Sequence, residues 1–195
     1  MKIERYKMPK SSFLSVDKDI ASICEMLMEN DRICRLLYRT NNNPMQESNL
    51  TEEEKIKLFT DKYIRTVPRI SVDSQVLNYV IISFENFLPN RRNNEFRDND
   101  ILIDIVCHFD QWTLADGQIR PFRLAGEIDS ILNGAKLSGI GTLEFKGADQ
   151  MIYSGEFGGI TLLYRAVHGD DDKQNFENPV EQELFLKEFE TKVDG

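Results

Sequence analysis

Residues 101–110 read ILIDIVCHFD, and this stretch decides the fold. Ile101, Ile103, Ile105, Cys107 and Phe109 alternate with Leu102, Asp104, Val106, His108 and Asp110. A period of two with one wholly apolar face and one mixed face predicts a strand packed on a core from one side. Upstream, 76–87 is rich in β-branched and aromatic residues and predicts a partner strand. The polar run 89–100 between them predicts a long loop. Downstream, Gly117 marks a turn and Pro121 suits the first turn of a helix, where its missing N–H costs nothing. Phe122, Ala125, Ile128, Ile131 and Leu132 form a helical stripe, with Arg123 and Glu127 as an exposed i,i+4 pair. Asn133-Gly134 ends that helix. Strands are expected at 141–146 and 158–167, with 151–153 adding pairing between them.

The N-terminal half has a helical period instead. Ile20, Ile23, Cys24 and Leu27 share one face of a helix over 16–28, with Asp17 as its expected N-cap. Asn30-Asp31 interrupts it, and Ile33, Leu36 and Leu37 resume an apolar face. The run 41–44 is a break. Thr51 and Glu54 have the spacing of a capping box, and three acids at the helix start suit its positive end. Ile56, Phe59, Tyr63 and Ile64 are expected to be its buried face, with Val67-Pro68 as its end. The fold class that follows is α+β: an antiparallel sheet with one amphipathic helix packed across it, preceded by N-terminal helices. The expected organisation is an arm over 1–16, a single domain over 17–169 (helices 17–67, sheet and helix 68–169), and an acidic tail or short helix over 170–195.

Composition narrows the function classes. The net charge is −9, of which residues 170–195 carry −6, from nine acids and three bases. Gripping nucleic acid needs clustered Lys and Arg. Arg91, Arg92 and Arg97 are the only basic cluster of the central region, and a salt bridge or subunit contact suits them better. No run approaches the roughly 18 apolar residues of a membrane span. Residues 1–10 are basic but lack the apolar core of a secretory signal. Cys24, Cys34 and Cys107 have no metal-type spacing and read as small buried hydrophobes.

A search for catalytic patterns leaves little. His108 shares a strand face with Asp104 and Asp110, but three ligands in line on one strand do not converge on one ion. His168 precedes Asp170, Asp171 and Asp172, which lack the glycine and the final glutamate of a calcium loop. Gly155 to Gly159 is not followed by a helical pattern, so a turn or bulge is expected there, not a phosphate cradle. Glu127 and Asp129 lie about 200° apart on their helix and cannot act as a pair. Trp112 is expected as an anchor beneath the following helix. No catalytic, cofactor-binding or metal residue is assigned, and no enzymatic activity is expected.

The order NDILIDIVCHFDQW (99–112), RPFRLAGEIDSILNG (120–134), GIGTLEF (139–145) and FGGITLLYRAVHG (157–169) resembles the tail-terminator and head-to-tail joining proteins of tailed bacteriophages. NDRICRLLYRT (30–40), LTEEEKIKLF (50–59) and VPRISV (67–72) look like the N-terminal region of some of these neck proteins. The resemblance implies a structural virion protein: a homo-oligomeric ring that ends the tail tube or joins tail to portal. Six copies would suit a terminator and twelve a portal-side or head-closure adaptor. It implies neighbouring neck, portal or tail-tube proteins as partners, with DNA passing through the channel unbound. It also implies no cofactor and no membrane, and localisation to the virion after assembly in the host cytoplasm. Two other classes compete. One is a non-virion binding module acting through a sheet edge. The other is a hydrolase or nuclease using His108 with Asp104 and Asp110.

Overall fold

The computed structural model describes residues 13–60, 63–66, 77–89, 97–137 and 140–167. Within them the chain is α+β, with four α-helices and a six-stranded mixed sheet. The helices are α1 (Phe13–Glu29), α2 (Asp31–Tyr38), α3 (Glu52–Thr60) and α4 (Arg120–Leu132). The strands are β1 (Ile64–Arg65), β2 (Asn78–Pro89), β3 (Arg97–His108), β4 (Lys136–Leu137), β5 (Gly141–Ile152) and β6 (Phe157–Val167). The sheet order is β1-β2-β3-β6-β5-β4. Four of its junctions are antiparallel, and β1 adds to β2 in parallel.

β3 is central, and its alternation decides which face carries the helices. Ile101, Ile103, Ile105 and Cys107 are fully buried against Ile23, Leu27, Leu36, Leu124 and Ile128 from the helical layer. Burying one such aliphatic side chain contributes about 1.5–3 kcal/mol, so this layer dominates the apolar stabilisation. The opposite face holds a smaller cluster of Tyr79, Ile81, Val106 and Phe157. Arg65 lies over the Tyr79 ring, 3.9 Å from its centroid, and covers part of that face.

Local signals account for most boundaries. Asn30 caps α2 by accepting from the N–H groups of Arg32 (2.9 Å) and Ile33 (3.2 Å). The capping box forms in both directions: the Glu54 N–H donates to Thr51 Oγ1 (3.3 Å) and the Thr51 N–H to Glu54 Oε2 (3.0 Å). Gly134, with φ 83°, follows α4 in the left-handed region, as the Asn133-Gly134 signal requires.

Several expectations are corrected. α1 starts at Phe13, so Asp17 lies inside it instead of capping it. α3 ends at Thr60, and the Tyr63 N–H closes back on the Leu58 carbonyl (2.9 Å) before β1 starts. That early exit leaves Ile56 62% exposed and Phe59 half exposed, and Leu58 is the buried contact. β3 begins at Arg97, so the loop before it is shorter than the polar run 89–100 suggested. On α4 the inward set is Leu124, Ile128 and Leu132, rotated away from Phe122. Arg123 pairs with Asp116 (2.7 Å) and Glu127 with Arg32 (3.1 Å), not with each other. β5 and β6 form one continuous hairpin with a bulge between Phe145 and Gly147. Of the expected arm over 1–16, residues 13–16 form the first turn of α1 instead, and 1–12 lie outside the described residues, as do the acidic segment 170–195, His168, Arg91 and Arg92.

Candidate functional site

The residues singled out for chemistry do not converge. His108 accepts the Asp110 N–H at Nδ1 (3.2 Å), capping a short 3-10 turn over Phe109–Gln111. Its ring meets Phe157 edge-on at 5.1 Å. Asp104 is held elsewhere: its Oδ1 accepts from Thr161 Oγ1 (2.5 Å) and from the Tyr153 hydroxyl (3.3 Å). The Asp110 side chain is largely exposed, with its Oδ2 3.6 Å from His108 Nδ1, so these two are neighbours while Asp104 is held apart. Among the described residues no group of three His, Cys, Asp or Glu side chains is placed to hold a metal ion. Glu127 and Asp129 are likewise separate, the first on Arg32 and the second accepting from the Tyr164 hydroxyl at 2.9 Å. Trp112 is half-buried and packed against the core, with its ring tilted beside Phe109 at 5.1 Å between centroids. Among the described residues no helix is long and apolar enough to cross a membrane.

All three cysteines are buried free thiols. Burial pushes the Cys24 and Cys34 thiols up to about 11 and Cys107 to about 12. Thiolate is the reactive form, so the folded protein should react with a disulfide reagent at pH 8 at least 100-fold more slowly than the urea-unfolded chain. Stopped-flow colour release would check this, and a fast native phase would contradict the burial.

Two polar arrangements carried no sequence signal. The first surrounds Arg120, whose side chain is fully buried. Its Nε donates to the Gln111 carbonyl (2.8 Å), and Nη1 to the carbonyls of Leu36 (2.7 Å) and Arg39 (3.0 Å). Nη2 donates to the Asn41 carbonyl. Leu36 and Arg39 are at the C-terminal end of α2, where carbonyls lack helical partners and the dipole favours a cation. The guanidinium thus ties α2 to the start of α4. The second is Asp100, which accepts from Arg165 through both oxygens (2.8 and 3.3 Å) and from Asn86 (2.8 Å). Asn86 has φ 53° and sits at the bulge of β2.

The Arg165 hydrogen bond holds the Asp100 carboxyl below its usual range, with Asn86 adding to the effect. A depressed carboxylate contributes stability above its unfolded pKa, near 3.9, and loses it as pH falls through the lower folded value. The stability gap between the native chain and Asp100→Asn should therefore be constant above about pH 5 and shrink towards pH 2. Urea midpoints across that range would read it, and a gap independent of pH would contradict the assignment.

A further concave feature among the described residues is a groove of ≈ 280 Å³ between α4 and β5. Ile160 and Leu162 of β6 form its floor, Phe122, Ala125 and Gly126 one wall, and Phe145, Ala148 and Gln150 the other. Asp129 and Asp149 are its charged residues, and no basic side chain lines it. It exists because the rotation of α4 leaves Phe122 about half exposed at its rim. The β5 bulge then continues the same face through Ala148 and Gln150, opposite Leu162 and Ile160. β4 pairs only with Gly141 and Thr142, and Asn133 Oδ1 accepts the Phe145 N–H (3.3 Å). Among the described residues, the outer edge of β5 from Lys146 to Ile152 has no strand partner.

Gly126 sits in this wall, inside α4, and a Cβ built there meets nothing within 4 Å. Glycine costs a helix interior about 1 kcal/mol relative to alanine. Gly126→Ala should therefore stabilise the fold by about 0.5–1 kcal/mol in thermal or urea unfolding. Destabilisation would mean that the position is more crowded than it appears.

No curated protein matches the chain. A protein-family model described as YomW matches residues 30–166. That name belongs to a phage-like SPbeta region and suggests a phage-associated protein.

Proposed function

The chain belongs to the YomW family, and on that premise we propose that it is a structural virion protein forming a homo-oligomeric ring at the phage neck. In this reading the ring ends the tail tube or joins the tail to the portal, and the protein performs no reaction. The observation that carries it is the pair of unfinished edges on one sheet. Among the described residues β5 is open from Lys146 to Ile152, with Ile152 76% exposed. On the other side, among the described residues, β1 covers only Val80 and Ile81 of β2, and Leu88 further along is 61% exposed. Natural proteins usually cover or charge such edges. A contact between two unlike edges is head-to-tail, and it repeats by rotation until the ring closes.

Charge supports the same reading. A chain of net charge −9 around a channel repels passing DNA, whereas a basic lining would hold it. In this reading the protein gathers in the host cytoplasm and ends in the virion, beside portal or tail-tube proteins. A head-closure or portal adaptor ring uses the same edges with a different copy number. A non-virion binding module remains a second reading, favoured by the apolar groove beside the open edge. Negative-stain microscopy with purified tail-tube and portal proteins separates them. Six- or twelve-fold rings bound to either protein support the virion role. A persistent monomer that binds neither protein overturns it.

A further inference from the structure

We propose that the N-terminal segment of one copy, residues 1–12, lies along the open edge of β5 in a second copy and seats apolar side chains in the α4–β5 groove. The proposal rests on the ring-forming reading and names its contact. An extended segment added to a free edge gains main-chain hydrogen bonds, and an adjoining pocket selects alternate side chains. Both parts are present here: an edge from Lys146 to Ile152 with no strand partner among the described residues, and beside it a groove floored by Ile160 and Leu162. Gly126 lowers the helix propensity of α4 although no neighbour within 4 Å requires a glycine there. What it does provide is a wall low enough for another chain to approach.

Charge and length select the occupant. Asp129 lies on the α4 wall, Asp149 lies on the edge strand β5 with its side chain alternating to the far face, and no base is among the lining residues. Residues 1–12 hold four bases (Lys2, Arg5, Lys7, Lys10) and one acid (Glu4), with Ile3, Tyr6 and Met8 as apolar side chains. Tyr6 and Met8 have the spacing that puts both on one side of a strand, and Pro9 is tolerated on an edge strand. The other long segment of the chain, 170–195, carries −6 and would be repelled by the same acids. Twelve extended residues reach about 40 Å, and the open edge of β5 spans only about 20–24 Å.

The segment leaves from Phe13, which packs edge-on against Phe87 of β2 at 5.2 Å. β3 and β6 lie between that strand and β5 of the same copy. The segment therefore starts on the side of the sheet opposite its proposed target. A neighbour whose β5 edge approaches β2 receives it directly, which makes the contact head-to-tail.

The test mixes two full-length variants under mild oxidation, one carrying Tyr6→Cys and the other Gln150→Cys. The native thiols are buried, so a disulfide between the two copies reports the contact. A covalent pair is expected, and adding Gly126→Arg to the Gln150→Cys copy should reduce its yield at least tenfold. Circular dichroism of the Gly126→Arg variant should retain the native melt, so that loss of the pair reports the groove and not the fold. No covalent pair, or a yield unchanged by Gly126→Arg, would overturn the proposal. A chain with both cysteines that closes its disulfide within a dilute monomer would overturn it in favour of docking on the same copy. The two readings fail separately. Closed rings unaffected by Gly126→Arg would leave the ring standing without this contact. Cross-linked open chains that never close would leave the contact standing without the ring.

Discussion

Replacing Arg120 with methionine is expected to destabilise the fold by about 3–5 kcal/mol, because several buried carbonyls lose a charged donor at once. The shape of the side chain is roughly kept, so the loss is electrostatic. Four backbone carbonyls, from Leu36, Arg39, Asn41 and Gln111, would lose their donor inside the protein. Each buried carbonyl left unpaired costs about 1–3 kcal/mol, moderated where water can enter. Among the described residues its partners are backbone carbonyls, two of them at the end of α2, so the guanidinium is held there by backbone dipoles. Burial pushes its pKa down, but arginine remains charged at any ordinary pH. Arg120→Lys should recover less than half of the loss. One ammonium cannot reproduce a planar fork that reaches carbonyls on three sides. Against a total stability of about 5–15 kcal/mol, that loss removes from about a fifth to all of it. Urea unfolding at neutral pH measures it, and a loss below about 1 kcal/mol would show that the carbonyls find other donors.

The second large effect is at Gly159. β3 and β6 are the central pair of the sheet, with Gly159 opposite Val106. A Cβ at Gly159 would lie 1.6 Å from the Ile105 carbonyl oxygen. That atom is backbone in a buried strand, so relief requires the two strands to part. Gly159→Ala should cost about 3 kcal/mol or more, at or above the upper end of overpacking penalties. Gly158→Ala is the internal control. Its Cβ would meet the Phe109 ring at 2.8 Å, and that ring is partly exposed and able to swing away. A cost of about 1–2 kcal/mol is expected there. Equal costs at the two positions would contradict the account of strand approach.

These two positions also mark where the sequence is mute. The alternation of Ile101 to Cys107 announces β3 because a one-sided core imposes a period of two, and the structure buries all four apolar residues. The capping box at Thr51 and Glu54 and the stop at Asn133-Gly134 are equally legible, because their partners are only a few residues away. Arg120 is different. Its partners on α2 lie some eighty residues upstream, and nothing near Pro121 says that an arginine points inward. The same lack of long-range information misplaced the buried face of α3. Ile56 and Phe59 have helical spacing, but the chain leaves the helix at Thr60, so Leu58 is the helix residue that reaches the core, while Tyr63 and Ile64 join it as expected from beyond the helix end. β1 escaped notice because two residues carry no period at all.

The candidate site was legible only in part. Placing His108, Asp104 and Asp110 along one strand already argued against convergence, and the structure gives His108 to a turn and Asp104 to Thr161 and Tyr153. The groove was not foreseen. It depends on which way Phe122 turns, and that follows from Arg120 and Leu124 facing inward on α4. The bulge at Phe145–Gly147, which aligns Ala148 and Gln150 with the groove, is a register shift that alternation alone does not reveal.

The claim that the protein works as a ring is most directly tested by native mass spectrometry of the full chain, alone and after co-purification with tail-tube and portal proteins. A hexamer of the 22.6 kDa chain weighs about 136 kDa and a dodecamer about 271 kDa. The account predicts one of these masses, at the latest in the presence of a partner. A species of 22.6 kDa under every condition, with no copy retained on either partner, would contradict it.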